Sequence, residues 1–303
     1  YILLRFLVAG FGTYLFLKKL KLAYRSALVG SVAYMFSGYF ILWITQSSLP
    51  ADMMIPWILL GIEHIFDTPR WKSVVFLAVA WAMMVLSNSP EAVMIITLFS
   101  LCYFLFEYLR KKPDRAVPLA FILSASLALA ISLPLLWDTI LSFVQGINAH
   151  GEGFVLSVHL HSPLERFLQI FTVPVSPILF FEIAQLGGLF KGDFIVPYVG
   201  MFIILLSLVA FSAKKDKEEK MRIWFFGGTL LLFLLYWAGI PPLVWLEKLP
   251  LFSQIIFHKY NSVFYFALAV LAAMGFEKMR RENVDRKKFN IILAALTLPI
   301  GGL

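Results

Sequence analysis

Of the 303 residues, 60% are hydrophobic and only 15% charged, and the mean hydropathy is +0.84. A soluble domain carries about 45 to 50% apolar and roughly 25% charged residues, so this composition excludes an ordinary water-soluble fold. The net charge of +8 would suit nucleic acid only if the basic residues shared one solvated face. They stand instead in clusters between apolar runs, which excludes that partner.

About 20 apolar residues cross a hydrocarbon core roughly 30 Å thick. The length and the pattern of runs therefore predict an all-α polytopic membrane protein with about ten transmembrane helices in a single domain. The expected spans are Tyr1 to Leu17, Ala27 to Ile44, Met53 to Phe66, Val74 to Leu86, Ala92 to Leu109, Val117 to Trp137, Phe194 to Phe211, Ile223 to Ile240 and Ser262 to Phe276, with a tenth from Phe289. Met53 to Phe66 and Val74 to Leu86 hold 14 and 13 residues, short for a straight crossing, and are expected to be extended by flanking polar residues or to lie against other helices. The eight tryptophans mostly fall near span ends and are expected to anchor there. Polar residues at mid-span are few, chiefly small Ser and Thr, which counts against a transporter. Tyr1 and Leu303 both fall inside apolar stretches, so the chain is expected to be an N-terminally truncated fragment.

Sidedness follows from charge. Lys18, Lys19, Lys21 and Arg25 follow the first span, and Arg70 and Lys72 follow the third. Arg110, Lys111, Lys112 and Arg115 follow the fifth, the run from Lys214 to Arg222 the seventh, and Lys278 to Lys288 the ninth. These alternate connections hold 21 of the 26 Lys and Arg residues and are therefore placed in the cytoplasm. The opposite side gathers Gln46, Asp52, Asn88, Glu91, Asp138, one long extracytoplasmic loop at 138–193, and the segment Glu247 to Asn261. The predicted location is the cell membrane, as a multi-pass protein.

Ionisable groups at a membrane cost free energy unless paired or solvated, so the outer ones are candidates for function. Asp52 either caps the third span through free backbone N–H groups or binds a cation or an acceptor hydroxyl. Glu91 follows Ser89-Pro90, the pattern of a helix start, and is a second candidate. His258, Lys259 and Tyr260 precede the ninth span against the charge trend, which suits an anion such as a lipid phosphate or a snorkelling lysine. His150, Glu152, His159, His161 and Glu165 crowd the long loop, yet their spacing matches no recognised metal site. The only cofactor considered is a divalent cation. Neither Walker A nor GxGxxG, GxSxG or HExxH occurs, which speaks against ATP-driven transport by this chain alone.

GFGTYLFLKKLKL (10–22), ALVGSVAYMFSGYFILW (27–43) and MIPWILLGIEHIF (54–66) resemble the early transmembrane block of YfhO-like bacterial membrane proteins, members of the GT-C glycosyltransferase superfamily. LPLFSQIIFHKYNSVFYFALAVLAAMGFEKM (249–279) resembles their segment with a basic residue before a late helix. The resemblance implies transfer of a sugar from a polyprenyl-phosphate donor to an extracytoplasmic glycan or glycolipid acceptor such as lipoteichoic acid. It implies a catalytic acid in an early outer loop, expected upstream of this chain, so the catalytic residue is unassigned and Asp52 is not promoted to it. It further implies that His258 and Lys259 stand where the family often has Arg, with Asp52, Glu91 and Tyr260 as substrate-binding candidates. The alternatives are a transporter or lipid flippase, and a scaffold for other membrane enzymes.

Overall fold

Helix α11 (Ser262–Arg280) is the axis against which the helices over 24–35, 201–212 and 217–237 chiefly pack, because it is apolar along its length and nearly every side chain from Ser262 to Lys278 is buried. The structure is a computed structural model that describes residues 2–42, 44, 49–87, 89–144, 199–212, 217–238, 240 and 261–281. In chain order the remaining helices are α1 (Ile2–Lys19), α2 (Tyr24–Met35), α3 (Gly38–Leu42), α4 (Leu49–Asp52), α5 (Ile55–Asp67), α6 (Trp71–Val85), α7 (Pro90–Lys111), α8 (Ala116–Val144), α9 (Met201–Ser212) and α10 (Lys217–Trp237). No strand occurs among the described residues. Among the described residues, three helices are long and apolar enough to cross a membrane, over Pro90–Lys111, Ala116–Trp137 and Ser262–Arg280.

Local sequence sets the breaks. Helix α7 starts on Pro90, whose missing N–H costs nothing in a first turn, and stops where Lys112 turns left-handed and Pro113 forbids continuation. The expected second span is not one run: α2 ends at Met35, Phe36-Ser37 interrupts it, and Gly38 begins the short α3. The expected sixth span runs longer than Trp137, because α8 continues through Val144 into the start of the expected outer loop. No Gly or Pro lies between Trp137 and Val144 to stop it, and Asp138 alone does not end a helix. The rest of that loop, with His150, Glu152, His159, His161 and Glu165, lies outside the described residues, as does the tenth span.

Small residues let α11 sit close to its neighbours, the usual device where helices cannot rely on water to drive them together. A Cβ on Gly275 would lie 1.8 Å from the Leu206 carbonyl oxygen of α9, and one on Gly30 of α2 would meet Leu17 and Ala273 at 2.5 and 2.8 Å. The short helix α5 is packed inside as expected, with Ile55, Pro56, Ile58 to Glu63 and Ile65 buried. The tryptophans divide. Trp71, Trp137 and Trp224 are exposed, whereas Trp81 and Trp237 are buried and Trp57 donates through Nε1 to the Val8 carbonyl at 3.0 Å. Those three serve packing rather than an interfacial belt.

Ion pairs fix how the helices run. Lys19 at the end of α1 pairs with Asp67 at the end of α5 at 2.6 Å. Glu277 near the end of α11 accepts from Ser26 and the Ala23 N–H at the start of α2, at 2.5 and 3.2 Å. Arg110 near the end of α7 meets Glu218 at the start of α10 at 3.2 Å. All these contacts lie at one end of the bundle, which we call the basic end, so the long helices alternate in direction.

Larger polar side chains are buried close to the basic end, away from the middle of the spans. Buried Glu63 of α5 and Glu107 of α7 share the Lys111 ammonium at 2.8 and 3.2 Å. Tyr103 donates to Glu63 at 2.5 Å, Arg110 pairs with Glu107, and Arg222 of α10 approaches both carboxylates at 3.9 and 3.6 Å. Burying carboxylates is tolerable only with such partners.

Candidate functional site

Asp52 lies at the opposite end, in the four-residue α4 just before the start of α5, and it is completely buried. Its Oδ1 accepts from Ser262 Oγ at 2.6 Å and its Oδ2 from Tyr39 OH at 2.8 Å, while its backbone carbonyl accepts from Tyr34 OH at 2.8 Å. Four elements therefore converge on one residue. Tyr34 ends α2, Tyr39 stands in α3, and Ser262 opens α11.

The interruption at Phe36-Ser37 is what makes this possible, since an uninterrupted helix would turn Tyr39 away from the face that carries Tyr34. Aromatic rings wall the site: Tyr34 meets Phe40 and Phe266 edge-on at 5.0 and 5.1 Å, and Tyr39 stacks on Tyr265 at 5.9 Å. Within this apolar wall the charged form of a carboxyl is disfavoured. Burial pushes the Asp52 carboxyl up to about 7 even though the Ser262 and Tyr39 hydroxyls pull it down.

The capping reading of Asp52 is overturned. Helix α5 has Met54 at its N-cap with no side-chain cap bond, and Asp52 spends both oxygens on Tyr39 and Ser262. Glu91 stands half-buried in the first turn of α7 behind Pro90, the helix start expected, though Ser89 makes no side-chain cap bond. Among the described residues no group of three or more His, Cys, Asp or Glu side chains could hold a metal ion. His258, Lys259 and Tyr260 lie outside the described residues, but they immediately precede Asn261, itself buried next to Ser262.

Sequence reasoning missed Tyr34, Tyr39 and Ser262, which look like ordinary residues of apolar helices. It also passed over Glu63 and Glu107, for which a signal existed: a carboxylate inside an apolar run is a functional or pairing site by default.

Comparison with curated proteins and with solved structures finds no match. The family model described as bacterial membrane protein YfhO matches residues 1–301, and the chain belongs to that family of membrane proteins.

Proposed function

We propose that this chain is part of a multi-pass cell-membrane glycosyltransferase that moves a sugar from a polyprenyl-phosphate carrier to an extracytoplasmic glycan or glycolipid. The observation that carries the reading is the bond between Asp52 and Ser262, 210 residues apart in sequence. It fastens the α3–α5 corner to the start of α11, immediately after the stretch bearing His258, Lys259 and Tyr260. The alternation of helix direction supports the ten-span, basic-end-inside topology, which puts this corner on the outer face.

On this reading Lys259, with His258, neutralises the carrier phosphate as the bond from the anomeric carbon to the phosphate oxygen breaks. The acceptor oxygen forms the new bond to that carbon with inversion and gives its proton to a general base not assigned among the described residues. Tyr260 and Glu91 line the substrate side. Asp52 is a positioning residue that holds the corner, since both of its oxygens are already engaged.

The test is transfer of labelled sugar from polyprenyl phosphate by the full-length protein in detergent. Lys259→Ala is expected to cut transfer at least tenfold with the fold intact. No transfer to any envelope acceptor would sink the reading.

The buried charges favour a second reading, a transporter or flippase, because transporters place charge inside the bilayer. Glu63 lies only four residues from the end of α5, about 6 Å at 1.5 Å per residue. A transport site would sit near the midplane, about 15 Å from either face. The transferase reading therefore stands first, and substrate uptake into vesicles separates the two.

A further inference from the structure

A groove of about 610 Å³ runs between α7 and α10 and reaches Val263, the second residue of α11. On α7 it is lined by Ile95, Leu98 and Cys102, and Glu91 stands on the same helical face one turn above Ile95. Val263 follows Ser262, the residue bonded to Asp52. It also lies four residues after Lys259, a separation that the chain can stretch to about 14 Å at most. The outer end of the groove therefore adjoins the residues proposed to hold the carrier phosphate and to line the substrate side.

We propose that this groove holds the isoprenoid tail of the lipid-linked sugar donor, with the phosphate at the outer end and the tail running inward between α7 and α10. This rests on the transferase reading and adds where the carrier is gripped. The lining selects hydrocarbon. Thr229 turns its hydroxyl back onto the Phe225 carbonyl at 3.1 Å, so a hydrated ion or a free sugar entering here would shed its water against a wall of aliphatic and aromatic side chains. Entry is sideways from the bilayer, since Leu98, Leu231 and Leu232 on the groove's flanks are exposed within apolar spans.

Length favours a long isoprenoid over an acyl chain of the outer leaflet. From Tyr236 to Trp224 the lining covers about 18 Å of α10 at 1.5 Å per residue, beyond the roughly 15 Å of one leaflet. Trp224 and Phe225 lie past the middle of α10 on the way to the basic end, a depth that an outer-leaflet acyl chain stops short of. There α7 and α10 are joined, by Phe225 stacked on Phe99 and Phe106 at 6.0 and 4.7 Å and by Arg110 paired with Glu218 at 3.2 Å. The free end of the tail thus meets a fixed wall. Midway, a Cβ on Gly228 would meet nothing within 4 Å, which leaves room for a methyl-branched chain.

The test follows alkylation of Cys102, the one cysteine of these 303 residues and a wall of the groove, by peptide mass spectrometry of the purified full-length protein in detergent. Undecaprenyl phosphate at about ten times its dissociation constant should slow that alkylation about tenfold. Cys102 lies about 16 Å below Glu91 along α7, so geranyl phosphate, which shares the head but has a short tail, should leave the rate unchanged, as should phosphatidylglycerol at the same concentration. Gly228→Phe projects a ring into the open space. It should weaken undecaprenyl phosphate binding about tenfold, the scale of one mismatched group in an apolar pocket, while geranyl phosphate binds as before in native mass spectrometry. Equal protection by phosphatidylglycerol, a dimer that protects Cys102 without lipid, or a Gly228→Phe protein that binds the long carrier as the parent does would each overturn the proposal. The alkylation measurement needs only the parent protein and decides the matter if the variant fails to fold. Protection of Cys102 by undecaprenyl phosphate without sugar transfer to any acceptor would support the groove and sink the transferase reading. Transfer from the long-chain donor with Cys102 open throughout would sink the groove alone.

Discussion

Ser262 Oγ donates to Asp52 Oδ1 at 2.6 Å, so the start of the axial helix is held by a carboxylate from the first quarter of the chain. Removing the carboxylate strands two buried hydroxyls at once. Asp52→Ala is expected to lower stability by about 3 kcal/mol, and Ser262→Ala by about 1 to 2 kcal/mol. Thermal unfolding in detergent followed by tryptophan fluorescence checks this, and an Asp52→Ala protein as stable as the parent would remove the latch.

The same carboxyl makes stability depend on pH. Burial raises it from 3.8 to about 7, so the folded protein keeps a proton there that the unfolded chain releases. Its favourable contribution is complete below about pH 3.8 and is lost as pH rises through about 7. Between pH 5 and pH 8 the parent should lose melting temperature relative to Asp52→Asn, which carries no titrating group at that position. Parallel pH profiles for the two proteins would contradict the assignment.

Two glycines should respond in opposite ways to alanine. At Gly275 the new Cβ would collide with the Leu206 backbone oxygen, which cannot swing aside, and a loss of about 3 kcal/mol or more is expected. At Gly228 there is open space, and alanine should stabilise by about 0.5 to 1 kcal/mol through helix propensity. Denaturation of both variants under one condition makes the comparison.

Charge removal should separate buried from exposed pairs. Glu107→Ala leaves Arg110 and Lys111 sharing fewer carboxylates in a buried setting, with an expected loss of about 3 to 5 kcal/mol. Asp67→Asn breaks a half-exposed pair with Lys19 and should cost less than about 1 kcal/mol, shrinking further in high salt.

What could be read from the sequence depended on the range of the interaction. Clusters such as Lys18-Lys19 and Arg110-Lys111-Lys112 mark helix ends because the cost of a charge in lipid is a local property, and the alternating directions follow from them. Asp52 stood out for the same reason. Its partners did not, since a tyrosine hydroxyl in an apolar helix announces nothing until the fold brings Tyr34, Tyr39 and Ser262 to one point. The division of the expected second span into α2 and α3 was signalled by Ser37-Gly38 but masked by the apolar residues on both sides. Trp57 and Trp237 carried the same span-end signature as the exposed tryptophans, and only packing distinguishes them, whereas Trp81 stands in the middle of its expected span.

Because α11 is enclosed on nearly all sides yet lies late in the chain, assembly cannot finish until residue 280 has left the ribosome. Until then the faces of α2, α9 and α10 that cover it stay open, Ser26 lacks the Glu277 carboxylate and Asp52 lacks the Ser262 hydroxyl. Nascent chains stopped short of Ser262 should therefore be the form most readily taken by membrane quality-control proteases, and synthesis of the axial helix is the step that ends that exposure.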